Sequence, residues 1–100
     1  MRIQLIRSGG FSKEKRVVNL DTSDYSSWVK EEIESLVNGS DFFNLPESLP
    51  KVDWTKDTFE YRIIVTEESR SHTVEATESS APEGLLRLIR RIEQGVVTSI

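Results

Sequence analysis

The sequence predicts an α+β domain of order ββαββα, a four-stranded antiparallel sheet with two helices packed on one face. Three observations predict it: two pairs of segments alternate apolar and polar residues with period two, two stretches carry apolar residues at helical spacing, and each predicted hairpin precedes one predicted helix. A helix with a single apolar stripe must bury it, and two hairpins most simply merge into one sheet that receives both stripes. The opposite sheet face is then solvated or open to a partner.

In chain order, Ile3 and Leu5 alternate with Arg2 and Gln4, and Gly9-Gly10 marks a turn needing positive φ. Lys15 to Leu20 returns as the second strand, with Phe11 expected to clamp the turn against the sheet. Asp21-Thr22-Ser23-Asp24 is a run of cap-forming residues, after which Val29, Ile33, Leu36 and Val37 recur at helical spacing as far as Asn38-Gly39. From Asn38 to Asp57 periodicity is lost, and Leu45-Pro46 and Leu49-Pro50 each disfavour helix. This reads as a packed crossing loop with a short helical turn over Asp41 to Asn44.

Phe59, Tyr61, Ile63 and Val65 alternate with Glu60, Arg62 and Thr66, and Val74 and Ala76 alternate with Thr73, Glu75 and Thr77. Glu68-Ser69-Arg70 joins them as a hairpin turn. Ala81-Pro82-Glu83 opens the last helix, with proline expected at the first helical position and a carboxylate beside the positive helix end. Leu85, Ile89, Ile92 and Val96 form its buried stripe; Arg87, Arg90 and Arg91 favour the negative end, and Gly95 terminates it.

One hundred residues fit a single domain spanning 1–100, because a chain this short encloses one core and buries only roughly 60 to 70% of its unfolded surface. With 36% hydrophobic and 30% charged residues it reads as a water-soluble globule, and no apolar run approaches the ~18 residues needed to span a bilayer. A net charge of −4 argues against nucleic acid, whose binding is driven by Lys and Arg displacing phosphate counterions. The absence of cysteine excludes disulfides, thiolate nucleophiles and Cys-ligated zinc. Met1 to Arg7 alternates polar and apolar residues without the apolar core of a signal peptide, so a cytoplasmic protein, monomeric when free, is expected.

Catalytic chemistry finds little material. Zinc needs three or four converging ligands, and the chain offers one histidine, His72, which is expected on the inward side of the fourth strand as a hydrogen-bonded or partly exposed residue. A Ser-His-Asp arrangement lacks support for the same reason, and paired carboxylates, though present in number, form no concave constellation readable from spacing. Ser8-Gly9-Gly10-Phe11 lacks the lysine, the hydroxyl and the following helix of a phosphate-cradling loop. Neither a catalytic set, a cofactor nor a metal is therefore expected. The arginines of the last helix and the run Glu31, Glu32 and Glu34 read as solvated helix faces.

Large apolar groups do stand outside the periodic positions: Tyr25, Trp28, Phe42, Phe43 and Trp54. Aromatic side chains dominate interface hot spots because one rigid ring removes much area from water at small entropic cost. Phe42, Phe43 and Trp54 read as plugs for the open edge of a small core. Tyr25 sits in the polar stretch Asp21-Thr22-Ser23-Asp24-Tyr25-Ser26-Ser27, which gives no other reason for a large ring.

Several segments, taken in order and nearly end to end, resemble the emfourin family. They are Arg7-Ser8-Gly9-Gly10-Phe11, Asp41-Phe42-Phe43-Asn44-Leu45-Pro46 with Ser48-Leu49-Pro50, Phe59-Glu60-Tyr61-Arg62-Ile63 leading into Ser71-His72-Thr73-Val74, and Pro82 before a Leu-rich helix. The resemblance implies a prokaryotic protein inhibitor of thermolysin-like zinc metallopeptidases. It further implies that the loop before the first helix enters the protease cleft, so that Thr22, Ser23, Asp24, Tyr25, Ser26 and Trp28 bind the partner. Tyr25 would fill the apolar pocket beyond the scissile position, and Asp24 would either cap the helix or approach the target's zinc. Where the family pattern has leucine followed by proline, this chain has Tyr25-Ser26. Truncating Tyr25 is expected to cost binding and leave folding nearly unchanged. A non-inhibitory binding or scaffold module using the exposed sheet face is the alternative.

Overall fold

The computed structural model describes residues 1–9, 15–49 and 59–94. The expectations for Phe11, Trp54, Gly95 and Val96 lie outside them. Strands β1 (Arg2–Gly9), β2 (Arg16–Asp21), β3 (Phe59–Glu67) and β4 (Arg70–Thr77) form one antiparallel sheet in the order β2-β1-β3-β4, with helix α1 (Ser27–Gly39) between the hairpins and α2 (Glu83–Glu93) after them. This is the predicted ββαββα arrangement. The hairpins merge through β1 and β3, where Ile3 faces Val65 and Leu5 faces Ile63.

Period-two alternation places one set of side chains inward. Ile3, Leu5 and Leu20 join Tyr61, Ile63, Val65, Val74 and Ala76, and the helices supply Val29, Ile33 and Val37 from α1 and Leu85, Leu88, Ile89 and Ile92 from α2. Leu36, expected among the buried residues, is only half-buried because it lies at the flank of the α1 stripe. The helices approach closely where they meet: a Cβ on Gly84 would stand 3.1 Å from the Ser40 Cα, so glycine permits that contact. Arg91 of α2 also bonds Glu32 of α1, at 2.9 Å.

Element boundaries differ from expectation in four places, each for a local reason. The cap-forming run makes its own 3₁₀ turn, Thr22–Asp24, and α1 begins only after it with Ser26 as N-cap. At the other end Gly39 is still helical, and the left-handed residue is Asp41 (φ 55°), whose side chain accepts a 2.7 Å bond from Asn44 Nδ2. Pro82 is the N-cap of α2 rather than its first helical residue: its ψ of 156° is extended while its carbonyl already accepts from Leu86 N–H at 3.0 Å. Arg70 begins β4, leaving Glu68-Ser69 as the turn.

Phe42 is fully buried in the expected short turn, Phe42–Asn44, and Phe43 packs edge-on against it. His72 faces inward opposite Val65; its Nε2 lies 2.7 Å from the Leu45 carbonyl and its ring stands edge-on to Phe42. The crossing loop is thus tied to β4, and Leu49 N–H then donates to the Glu75 carbonyl at 2.8 Å.

At the far end of the sheet Arg7 pairs with Glu93 at 2.6 Å and lies over the Phe59 ring, while the Tyr61 hydroxyl donates to Glu93 at 3.4 Å. Burial, reinforced by the Glu93 charge, pushes the Tyr61 phenol from 10.0 up to about 12. The native state therefore holds this proton to higher pH than the unfolded chain does. The corresponding stability is complete below the unfolded value and is lost as pH climbs through the folded one.

Two outcomes test this architecture. Ile63→Ala and Leu85→Ala, both at fully buried positions, should each lose about 2 to 5 kcal/mol in denaturant titrations, the cost of core cavities. Between pH 10 and about 12 the parent should lose a component of stability that Tyr61→Phe lacks, read from unfolding midpoints of the two proteins across that interval.

Candidate functional site

Thr22, Ser23, Asp24, Tyr25, Ser26 and Trp28 fall in one continuous connection from β2 into α1, pinned near both ends. Thr22 is buried, and both its N–H (2.9 Å) and its hydroxyl (3.3 Å) donate to the Met1 carbonyl. Asp21 caps the 3₁₀ turn, accepting from Ser23 N–H at 3.0 Å and Ser23 Oγ at 2.8 Å, and lies 3.5 Å from Arg2. The bond from the Ser23 N–H is the main reason the Asp21 carboxyl sits below its ordinary 3.8, with the Ser23 hydroxyl adding to it. Tyr25 N–H returns to the Thr22 carbonyl at 3.3 Å, and Lys30 N–H to the Ser26 carbonyl at 3.0 Å begins α1.

The side chains between these anchors divide into two groups. Ser23 and Asp24 are exposed, and Trp28, in the first turn of α1, is 57% exposed. Asp24 does not cap α1: that position belongs to Ser26, and the Asp24 carboxylate makes no hydrogen bond or ion pair among the described residues. The Ser26 hydroxyl makes no capping bond, and its oxygen is buried without a partner among the described residues. Tyr25 is half-buried and packs against the hydrophobic core. This corrects the expectation that folding would hardly register its loss, because part of the ring belongs to the fold.

An open depression of about 460 Å³ adjoins the segment, lined by Asp24 and Tyr25 together with Gln4, Asn19, Ile64 and Thr66 of the outer sheet face. Sequence reasoning did not connect these sheet residues to the loop. Their outward parity was readable, but their position beside Tyr25 depends on the pairing of Gln4 with both Asn19 and Ile64. Of the basic cluster on α2, Arg87 bonds Glu83 at 3.1 Å and Arg91 bonds Glu32, so these arginines serve the helix surface. Among the described residues no three His, Asp or Glu side chains gather to hold a metal ion.

A protein-family model, Emfourin, matches residues 5–93. No match was found among curated proteins or among solved structures. The matched span begins within β1 and contains β2, β3, β4, both helices and the whole β2–α1 connection.

The geometry separates the two aspartates. Because the folded Asp21 carboxyl is depressed, its contribution is present above the unfolded value near 3.8 and is lost as pH falls through the lower folded value. Asp21→Asn should lower the thermal midpoint at neutral pH and flatten the acid limb of the stability profile. Asp24→Asn, which removes no hydrogen bond or ion pair among the described residues, should leave the midpoint at neutral pH unchanged; thermal unfolding of both variants checks this.

Proposed function

The chain belongs to the emfourin family, and from that premise we propose that it inhibits thermolysin-like zinc metallopeptidases by placing the β2–α1 connection in the active-site cleft. The supporting observation is a short segment pinned by Met1 and Asp21 at its start and by α1 at its end, with the Tyr25 ring and an Asp24 carboxylate that is unpaired among the described residues between these anchors, and the exposed Trp28 in the first turn of α1. Such preorganisation reduces the ordering cost that a flexible loop pays on binding.

In this reading the exposed part of Tyr25 enters the apolar pocket beyond the scissile position. Asp24 directs an oxygen toward the target's zinc, whose catalytic coordination leaves one position open to such a donor. Trp28 contacts the cleft rim. The inhibitor brings no metal or cofactor; the metal is the target's. A scaffold module using the outer sheet face is favoured by one observation, the exposure of Val17 (47%) directly across from Ile6 on that face.

Inhibition constants against a thermolysin-like enzyme, with thermal unfolding on the same samples, test the proposal. Asp24→Ala should weaken inhibition and leave the midpoint unchanged. Tyr25→Ala should lose roughly 2 kcal/mol or more of binding, as a buried hot spot does, and should also lower the midpoint because of its core contact. If Tyr25→Ala and Asp24→Ala inhibit as well as the parent, the connection is not the inhibitory element. If the parent inhibits no thermolysin-like enzyme, the sheet-face reading replaces this one.

A further inference from the structure

The two edges of the sheet differ. At the β4 edge the chain covers itself: Glu75 N–H donates to the Glu47 carbonyl at 2.7 Å, Leu49 N–H donates to the Glu75 carbonyl at 2.8 Å, and Ser48 bridges Glu75 in parallel. At the other edge β2 pairs only with β1. In an antiparallel ladder alternate residues turn their N–H and C=O away from the neighbouring strand, so an edge strand offers a row of backbone donors and acceptors. Among the described residues Val17, Val18 and Asn19 direct no backbone bond to anything but β1.

The devices that ordinarily blunt an edge are missing from the middle of this strand. Residues 17–20 contain no proline and no charge, and β2 pairs with β1 in unbroken register from Arg16 to Asp21, without a bulge. Val17 and Asn19 are exposed, and Val18 is half-buried opposite the inward Leu5.

Such a row is completed by another extended backbone, and the side chains of β2 are complementary to their own copy. Antiparallel partners directly opposite each other share a sheet face, so a twofold pairing of β2 with a second copy must be centred on a residue. Centred on Val18, it sets Val18 against its own copy beside the core, Val17 against Asn19 on the outer face, and Lys15 against Asp21 at both ends. Lys15 is exposed and has no ion pair among the described residues. Centred on Val17 or on Asn19, residues 15–21 place no unlike charges opposite each other.

We infer that the open edge of β2 is a homodimer interface, centred on Val18, that joins two four-stranded sheets into one continuous antiparallel sheet with the helices of both copies on the same side. The dimer takes the place of the monomer expected from the sequence, and it does not depend on the inhibitor reading.

Sedimentation equilibrium of the full chain from micromolar to millimolar concentration tests the inference, with amide hydrogen exchange on the same samples. The parent should convert from monomer to dimer mass. Lys15→Glu, which sets like charges opposite each other at both ends, should raise the dissociation constant about tenfold, and added salt should narrow that difference. Those β2 amides that exchange freely at low concentration should become protected at high concentration, because they then donate to the second copy. Circular dichroism confirms that the variant, changed at an exposed position, folds. A parent that stays monomeric over the whole range overturns the dimer. A dimer whose β2 amides gain no protection forms through another surface and overturns the interface, and Lys15→Glu dimerising as tightly as the parent overturns the pairing centred on Val18.

Discussion

The pairing of β1 with β3 is the contact on which the other features of this molecule depend. Each hairpin alone is a two-stranded ribbon of marginal stability, since it cannot bury a face. Joining β1 to β3 sets Ile3 and Leu5 against Val65 and Ile63 in the middle of the sheet, creating an apolar surface wide enough for both helices. That pairing closes a long loop, and its entropic cost is offset only when the inward residues of all four strands are covered together. Register follows from the same requirement: a slip of one residue would turn Ile3 and Leu5 to solvent and bring Arg2 and Gln4 inside.

Both ends of the sheet inherit their organisation from this centre. At one end the first residue of the chain lies beside the exit of β2, so the Met1 carbonyl receives two bonds from Thr22 and fixes where the β2–α1 connection starts. At the other end Arg7 and Tyr61, opposite each other in the β1–β3 register, converge on Glu93 from the last turn of α2. A half-buried arginine–glutamate pair with an additional hydroxyl donor is better satisfied than an isolated buried charge, and here it fixes α2 to the two central strands. Anchoring at both ends holds the β2–α1 connection in place, as the proposed contact with a protease would require.

Tyr25 combines two demands in one ring. Its position in a polar stretch reads as a free interface residue, yet the ring is half-buried and packs against the core. The mismatch is physical: a polar run around an aromatic residue reports the solvation of its neighbours along the chain, whereas burial depends on what the sheet brings up from below. Trp28 shows the converse, for its helical phase places it away from the stripe formed by Val29, Ile33 and Val37, and it remains exposed.

Sequence alone determined the element types, their order and the inward faces, because period-two and helical spacing are local properties of the chain. It also located the β2–α1 segment and placed His72 on the inward side of β4. Tertiary structure decided what depends on long-range neighbours: which aspartate caps, which ring is half-buried, and which outer-face residues adjoin the segment. Asp21 and Asp24 are equally good cap formers in isolation. Asp21 takes the role because the 3₁₀ turn starts where Thr22 meets the Met1 carbonyl, a contact between residues 21 positions apart that exists only once β1 and β2 are paired.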